Sequence, residues 1–490
     1  MKVFQPQVSV KLVKAIRRDK SGGIVPGTAV ASRYQNLASI DLTNFLGDNG
    51  SVQTSKSVRE PAGGFTITLA DKRHPQMLDT LYALIEPMDM VEIRFCRDPS
   101  SYKQPDLWPP IIMRGLVTTV SRSEAIPGGR PTRSITIAGQ DFGKILQTIQ
   151  IYYLYNSVVG DNVLHEFAFF QKYASASSAK IKSANEFVTE VVSNVINPYL
   201  SRLTALADGS AVSAKVINAW TPVVSIAGAL TPDAVCSMNN ISLHSFLSTL
   251  LDVGPFNELF VEDATDGINL VVRPAPFMDV AGNLIQGEMP AVNSITDKEA
   301  LSLSLSRSDQ GVANYFWVSN SRFAFMGNED QKAWASTGSP DSYLKFDYLN
   351  SQSAYYGFRK MEVESVLVDP GYGSIDAQTK DQLPAQNSKM TDWLSERRRI
   401  LAESNKDNVI FEFGQMQVRG DERIKAGTYL RLNRANGVTS QFYVPQVNHS
   451  YTPFQGFLTN LTLERGTSFI ERAKAGNPQY LLEVNAKGIS

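Results

Sequence analysis

Two stretches of this chain share one plan of three consecutive strands, and that internal similarity constrains the fold more than any other feature. The later stretch covers residues 424–465. Alternating β-forming residues at 428–432 precede Asn436-Gly437, a strong hairpin signal because both turn positions favour positive φ. A return strand at 442–447 and an alternating strand at 458–463 follow. These residues predict a small antiparallel meander.

The earlier stretch repeats this plan with strands at 90–95, 111–120 and 133–138. The spacings fit ordinary strand and hairpin lengths. The chain has no fixed-period repeat, which argues against a solenoid. We therefore expect a duplicated β domain, a plan suited to building symmetric rings. The alternative is that two unrelated β-meanders look alike.

Length and charge narrow the class of protein. At 490 residues the chain has room for two to four domains. Charged residues make up 19% and the net charge is −1, so a nucleic-acid binder with a basic surface is disfavoured, as is intrinsic disorder. Low charge combined with many Asn, Gln, Ser and Thr residues suits a protein whose surface is largely in contact with other subunits.

The cysteines and the apolar runs indicate the compartment. Cys96 and Cys236 are far apart, so they form neither a ligand pair nor a disulfide framework, and we expect buried free thiols in a reducing compartment. Lys11, Lys14 and Arg17 interrupt any signal peptide, and no apolar run is long enough to cross a membrane.

The patterns predict an α+β fold, mainly β, in which two similar small β-barrel domains accompany a helical insertion domain and a connecting strand-pair region. The expected parts are a first tube-like β-barrel at 1–147, a helical insertion domain at 148–255, a connecting strand pair and linker at 256–300, a second tube-like β-barrel at 301–472 with an irregular and helical insertion around 321–405, and a C-terminal arm at 473–490.

Helical periodicity is clearest in the insertion domain. Ser183 and Glu186 form a capping-box pattern ahead of an apolar stripe that we expect Pro198 to end. Ser242 is positioned to cap a second helix. The Ala-, Ser- and Thr-rich residues 208–233 predict a surface loop.

Two patterns follow later in the chain. Residues 259–261 and 268–272 predict a strand pair turning at Asp266-Gly267. A helix around 390–401 places the three arginines at 397–399 mostly on its polar side. These arginines are expected either to be solvated or to form inter-subunit salt bridges.

Candidate chemistry is sparse. The histidines lack metal-ligand or triad spacing, and His449 fits a structural hydrogen-bonding role at a strand end. Asp263 with Asp266-Gly267 fits a hairpin turn better than a calcium loop. Glu258, Glu262 and Asp263 could serve a glycosidase only with a partner cleft. We therefore predict no catalytic, cofactor-binding or metal-binding residues and no enzymatic activity. The histidines considered are His74, His165, His244 and His449.

The order of parts resembles that of the baseplate hub proteins of contractile-tailed bacteriophages, and of the equivalent part of type VI secretion spike proteins. The most specific likeness lies in the second predicted barrel. The residues that carry it are Ile424, Gly427, Tyr443-Val444, Val447, His449-Ser450-Tyr451 and residues 461–466.

The resemblance implies a homotrimeric ring in the virion tail baseplate, made in the host cytoplasm. Three subunits with two barrels each would adapt a sixfold tail tube to a threefold spike. Implied partners are the tail tube or tube-initiator protein, the central spike protein, baseplate wedge or other baseplate proteins, and phage DNA that passes without specific binding. Unlike the secretion spikes, this chain shows no spike-type barrel or β-helix repeat after residue 470, so the spike should be a separate protein.

Two other functions fit the same sequence. One is a distal-tail or receptor-binding adaptor of a non-contractile phage, and the other is a tail-tip cell-wall hydrolase. For a hub, we expect a polar channel wall of mixed or mildly negative charge, so that exiting DNA does not stick.

Overall fold

A computed structural model gives the fold of this chain. The residues that it describes are 5–14, 39–72, 80–102, 110–126, 132–151, 182–205, 220–231, 234–235, 241–265, 267–279, 282–320, 350, 352–370, 383–434 and 439–467.

The first part is a β module, termed the N-module. Its elements are β1 (Gln7–Val13), β2 (Ser39–Asp41), β3 (Ser51–Ser57), β4 (Gly64–Ala70), α1 (Leu81–Leu84), β5 (Met90–Cys96), β6 (Ile111–Ala125) and β7 (Thr132–Asp141). Apolar residues alternate along these strands, and one face of the sheet buries them in a common core. The three predicted strands of the earlier stretch are confirmed as β5, β6 and β7.

A helical part follows the N-module. Its elements are α2 (Gly143–Thr148), β8 (Gln150–Ile151), β9 (Lys182–Ser183), α3 (Ala184–Val191), a π-helical turn (Val192–Ile196), α4 (Asn197–Ala205), β10 (Trp220–Val224), β11 (Ala229–Leu230), β12 (Ile241–Ser242), α5 (Leu243–Leu250), β13 (Asn257–Asp263) and β14 (Ile268–Pro274). The side chains of Ser183 and Ser242 cap α3 and α5, as predicted, by accepting backbone N–H groups at 3.2 Å.

Two predictions for this part were wrong. Pro198 does not end the helix, because the π-helical turn Val192–Ile196 precedes it and α4 continues through it. A local π turn accommodates a proline, which has no N–H to donate. The predicted loop at 208–233 contains β10, which pairs in parallel with β14 and buries Trp220. Tertiary pairing therefore overrides the local composition.

The last part forms a second β module, termed the C-module, with an insertion. The elements are β15 (Val292–Thr296), β16 (Ala300–Ser306), β17 (Tyr315–Ser319), α6 (Ser353–Tyr356), β18 (Lys360–Glu364), α7 (Leu383–Asn405), β19 (Glu412–Arg419), β20 (Thr428–Asn433), β21 (Thr439–Thr452) and β22 (Gly456–Gly466). β15, β16 and β19 to β22 make the C-module, and β20, β21 and β22 confirm the later meander.

The prediction that the three arginines of α7 lie mostly on its polar side was wrong for two of them. Arg397 and Arg398 are buried, each 4% exposed, whereas Arg399 is exposed. The Arg397 guanidinium lies 4.3 Å from the Trp393 ring centroid, and that of Arg398 lies 4.9 Å from Trp317. Guanidinium groups stack on aromatic faces, so these arginines pack within the insertion.

The two modules share one strand order. In the N-module the order is β3-β4-β7-β6-β5-β1, and in the C-module it is β16-β19-β22-β21-β20-β15. Corresponding strands appear in the same order along the chain. The one difference in direction is that β1 runs antiparallel to β5, whereas β15 runs parallel to β20. The predicted mainly β fold with two similar modules is confirmed, and both modules belong to one 13-stranded sheet.

A β-bulge marks the same place in each module. In β6 the register against β7 shifts between Val117 and Thr119, and in β21 the register against β22 shifts between Tyr443 and Gln446. Each bulge adds one residue and increases the twist, so a single long strand serves two different neighbours. Before the bulge, β6 pairs with β5 and β21 pairs with β20.

Candidate subunit interface

The two modules meet where β21 pairs with β3. The pairing is antiparallel and runs from Gln446 opposite Ser57 to Tyr451 opposite Val52. We call this pairing the closed joint. It forms beyond the bulge of β21, where that strand has left β20.

Aromatic residues of the C-module fill the core side of the closed joint. Phe457 packs within the N-module core and lies 5.1 Å from Phe95, between ring centroids. His449 is buried between these rings, and its Nδ1 is hydrogen-bonded to the Thr459 hydroxyl at 2.9 Å. Burial lowers the pKa of His449 to about 4, although Asp421 acts in the opposite direction. His449 is therefore structural, as predicted, but it lies within a strand instead of at its end.

An ionic cluster supports the same joint. The Lys56 ammonium donates to Asp263 at 2.5 Å and lies 3.4 Å from the Asp141 carboxylate. Burial acts to lower the pKa of Lys56, but these two carboxylates outweigh it, so the pKa is raised. Lys56 therefore remains a cation that ties β3 to β7 and β13.

Arg114 clamps the β13–β14 turn onto the N-module. Its guanidinium donates to the carbonyls of Ala264 at 2.8 Å and Gly267 at 3.0 Å, and to Glu92 at 3.1 Å. The side chain of Arg114 is 2% exposed. Asp263 accepts the Arg114 backbone N–H, which fixes the turn as part of the scaffold. Asp266, the other acidic residue considered for a calcium loop, lies outside the described residues.

The other carboxylates considered for catalysis also have structural partners. Glu258 accepts hydrogen bonds from Arg273 at 3.0 Å and from the Tyr443 hydroxyl. Burial raises the pKa of Glu258, and Arg273 acts against that rise. Glu262 pairs with Lys425 at 2.8 Å on the wall of a groove of about 550 Å³. This arrangement uses the three carboxylates to fasten the strand pair to its neighbours.

The other residues considered for chemistry are dispersed. His244 is half-buried on α5, where burial lowers its pKa. Cys96 is buried, as predicted. His74, His165 and Cys236 lie outside the described residues. Within the part of the chain that the structure describes, no group of three or more His, Cys, Asp or Glu residues could hold a metal ion. None of the described helices is long and apolar enough to cross a bilayer.

Two of the open strand edges lie on β6 of the N-module and β16 of the C-module. Among the described strands, β16 pairs only with β19, and the part of β6 beyond its bulge pairs only with β7. Side chains along both edges are largely exposed, including Leu301 at 48% and Leu303 at 36%. An open edge presents unpaired backbone groups and is a template for another strand.

The open edges correspond to the strands of the closed joint. In each module, one row of cross-strand partners begins just after the bulge and crosses four strands. The four strands of one row correspond to the four strands of the other. The N-module row is Thr119, Ala138, Thr66 and Gln53, and the C-module row is Gln446, Thr462, Gln415 and Ser304. By this alignment β6 corresponds to β21, and β16 corresponds to β3.

Sequence reasoning missed both the joint and the open edges. A signal was present in the alternation of residues 301–306, LSLSLS, and in the charged end of β6 at residues 122–124. These patterns identify strands but do not reveal which strand lies beside them.

No protein-family model matches the chain, and no curated protein sequence is significantly similar to it. Solved structures do show similarity. A tail protein from Neisseria meningitidis MC58 aligns over 94% of this chain and 96% of its own, with a TM-score of 0.45 and 10% identity. The 43 kDa tail protein of prophage MuSo2 from Shewanella oneidensis aligns over 94% and 98%, with a TM-score of 0.43 and 11% identity.

A third similar structure is the prophage tail protein gp18 from Listeria monocytogenes EGD-e. It aligns over 93% of this chain and 94% of its own, with a TM-score of 0.43 and 10% identity. Similarity at this level does not establish a shared function, so the function has to be inferred from the chain's own residues.

Proposed function

We propose that this chain is a structural hub of a phage tail baseplate, in which three copies close into a ring that joins a sixfold tail tube to a threefold spike. The chain acts by assembly and not by catalysis. The ring lies in the virion tail and encloses the channel through which DNA leaves. The motifs of the second module, given above, supply the resemblance to the hub family.

The observation that carries this proposal is the match between the closed joint and the open edges. Within one chain, β21 of the C-module pairs with β3 of the N-module. Between chains, β6 would pair with β16 of the next copy, because these strands occupy the matching places. One joint geometry then repeats around the ring, and a repeated head-to-tail contact gives a closed ring when its rotation closes.

The alignment also gives the register that we expect for the contact between copies. In the closed joint Ser450 lies opposite Gln53. Ser123 holds the place of Ser450 in the N-module, and Ser304 holds the place of Gln53 in the C-module. Ser123 of one copy should therefore lie opposite Ser304 of the next.

Hairpin tips supply a docking surface for the sixfold partner. Ile126 follows β6 and is 71% exposed, and Phe454 lies between β21 and β22 and is 90% exposed. Both follow the long strand of their module, so three chains would present six apolar tips at one end of the ring. Exposed apolar residues of this kind mark interaction sites.

Cysteine cross-linking tests the ring and its register together. The variant Ser123→Cys/Ser304→Cys should form covalent dimers and trimers on mild oxidation, since opposite residues on antiparallel strands lie within disulfide reach. Each single variant should remain uncross-linked, which controls for the native cysteines. Mixing the two single variants should yield dimers only.

A matched variant uses the closed joint. Ser450→Cys/Gln53→Cys should form a disulfide within one chain and leave the mass of the subunit unchanged. Mass photometry of the uncross-linked protein should show three copies. Six copies would favour the distal-tail adaptor, and trimers that cross-link at another register would contradict the proposed contact. Cell-wall hydrolysis would appear as clearing of a peptidoglycan suspension.

A further inference from the structure

One face of the continuous sheet carries almost no charge. Residues directly opposite on neighbouring strands share a face. The row Ser302, Gln417, Asn460, Asn448 and Ser55 crosses β16, β19, β22, β21 and β3 on the side away from the cores. We call this side, which includes the matching positions of β4, β7 and β6 beyond its bulge, the open face.

Ser, Thr, Asn and Gln occupy most positions of the open face. Apart from Gly and Ala, the exceptions on these described strands are Phe413, Tyr443, Leu458, Arg419 and Glu464. Arg419 and Glu464 lie at opposite rims of the sheet, because they stand at opposite ends of the β19–β22 pair. The centre of the open face is therefore neutral.

The lack of charge is a property of the face and not of the strands. Lys56, Arg122, Glu124 and Arg133 belong to the same strands but lie on the core side. An ordinary sheet places apolar residues on the core side and charged residues toward water. Here that arrangement is reversed at several positions, so the charge-free face needs a reason of its own.

The neutral side chains also hold one another in place. The Gln417 amide donates to Asn460 at 2.9 Å, and the Gln446 amide donates to Ser55 at 3.2 Å across the closed joint. Such contacts keep the side chains along the wall of the sheet.

We propose that the open face lines the channel of the ring. It is a passage surface for double-stranded DNA, a polyanion, which the face neither binds nor repels. This inference rests on the proposed ring. Cations on the wall would hold phosphates through counterion release, and carboxylates would repel them. Hydroxyl and amide groups do neither and keep a water layer. The lining is thus neutral, where the sequence alone suggested mixed or mildly negative charge.

Size-selective labelling tests whether the open face lines the channel. Gln53→Cys is placed at the centre of the face, and Ser353→Cys on exposed α6 is the matched control. In the assembled ring, a small maleimide should label both. A maleimide carrying a polymer too large for the channel should label the control at least about tenfold faster. Equal labelling by the large reagent would overturn the placement.

Added charge tests the passage surface. The ring with Gln53→Lys and Gln415→Lys should bind linear duplex DNA at least about tenfold more tightly than the unaltered ring, with an affinity that falls steeply with salt. Two lysines on α6, Ser353→Lys and Ala354→Lys, should have little effect. Salt-dependent DNA binding by the unaltered ring, or equal effects of both lysine pairs, would refute the neutral wall.

The outcomes separate this inference from the ring itself. Mass photometry is run on every sample before labelling or DNA binding. Failure to form trimers would refute the proposed function. Intact trimers that fail either test above would refute the inference alone.

Discussion

The closed joint and the open edge of β6 occupy matching places in the two modules but differ in chemistry. His449, Tyr451 and Phe457 stand on the core side of the closed joint. The matching positions of the N-module are Arg122, Glu124 and Arg133. Phe457 is 6% exposed, whereas the side chain of Arg133 is 50% exposed.

This difference teaches how one strand geometry can serve two purposes. The closed joint forms when the chain folds and never has to open, so it is built as part of a core. In the proposed ring, the edge of β6 must stay soluble until another copy pairs with it. Its ion pairs, Arg122 to Asp71 at 2.9 Å and to Glu124 at 2.6 Å, place charge on an open strand. Edge charges of this kind suppress unwanted strand pairing.

The largest expected effect concerns the aromatic side of the closed joint. Phe457→Ala should lower the free energy of unfolding by about 3–5 kcal/mol, because it leaves a cavity in the N-module core. Arg133→Ala, the matching change at the open edge, should shift it by no more than about 0.5 kcal/mol. Urea denaturation of both variants measures the difference, and equal losses would show that the two joints are not distinct in this way.

The next effect concerns two corresponding basic residues, Lys56 on β3 and Arg307 directly after β16. Lys56→Met should destabilise the fold by about 2–3 kcal/mol, since it leaves two carboxylates with no cation in a largely buried site. Arg307 is its counterpart and pairs with Glu412 at 2.8 Å, but its side chain is 45% exposed. Arg307→Met should have an effect below about 1 kcal/mol. Denaturation midpoints at neutral pH test this, and a larger loss for Arg307→Met would reverse the comparison.

The closed joint should also be sensitive to acid. The unfolded imidazole takes up a proton near pH 6.5, whereas the folded His449 does so only near pH 4. Between these values the unfolded state binds more protons, so stability falls as the pH is lowered, by on the order of 2 kcal/mol at pH 5.

His449→Gln is the control for that pH dependence. It retains a hydrogen-bonding group for Thr459 but cannot titrate, so the part of the pH dependence due to His449 should vanish. Urea midpoints at pH 7 and pH 5 for both proteins provide the test. An unchanged pH slope in the variant would exclude His449 as the source.

The smallest effect on stability is expected at the open edge. Replacing Glu124 by serine removes its exposed ion pairs with Arg122 and Arg133, which contribute less than about 1 kcal/mol. The variant should nevertheless aggregate more readily while the β6 edge is uncovered, because that edge has lost its carboxylate. Light scattering at increasing protein concentration detects this. Unchanged aggregation would mean that this carboxylate does not protect the edge.

The strand plan was predictable because strand signals are local. Alternation in β5, β7, β20 and β22 and the capping serines at 183 and 242 can be read from neighbouring residues. The predictions were wrong where contact with a distant element determines the local structure or the burial of a side chain. β10 forms because β14 lies beside it, and Arg397 and Arg398 are buried because aromatic rings of the insertion cover them.

The joint could not be predicted for the same reason. Ser302, Asn448 and Ser55 look like ordinary solvent-facing strand residues, and only the pairing of β21 with β3 aligns two of them in one face. Lys56 reads as a surface lysine until β7 and β13 bring Asp141 and Asp263 to it.

The amino-acid sequence by itself determined that this chain makes two similar β meanders, since residue alternation and turn chemistry act over a few neighbours. Tertiary structure alone decided that the two modules join edge to edge, which edges remain open and which face is neutral. Those features depend on cross-strand partners hundreds of residues apart, and no local pattern encodes such a pairing.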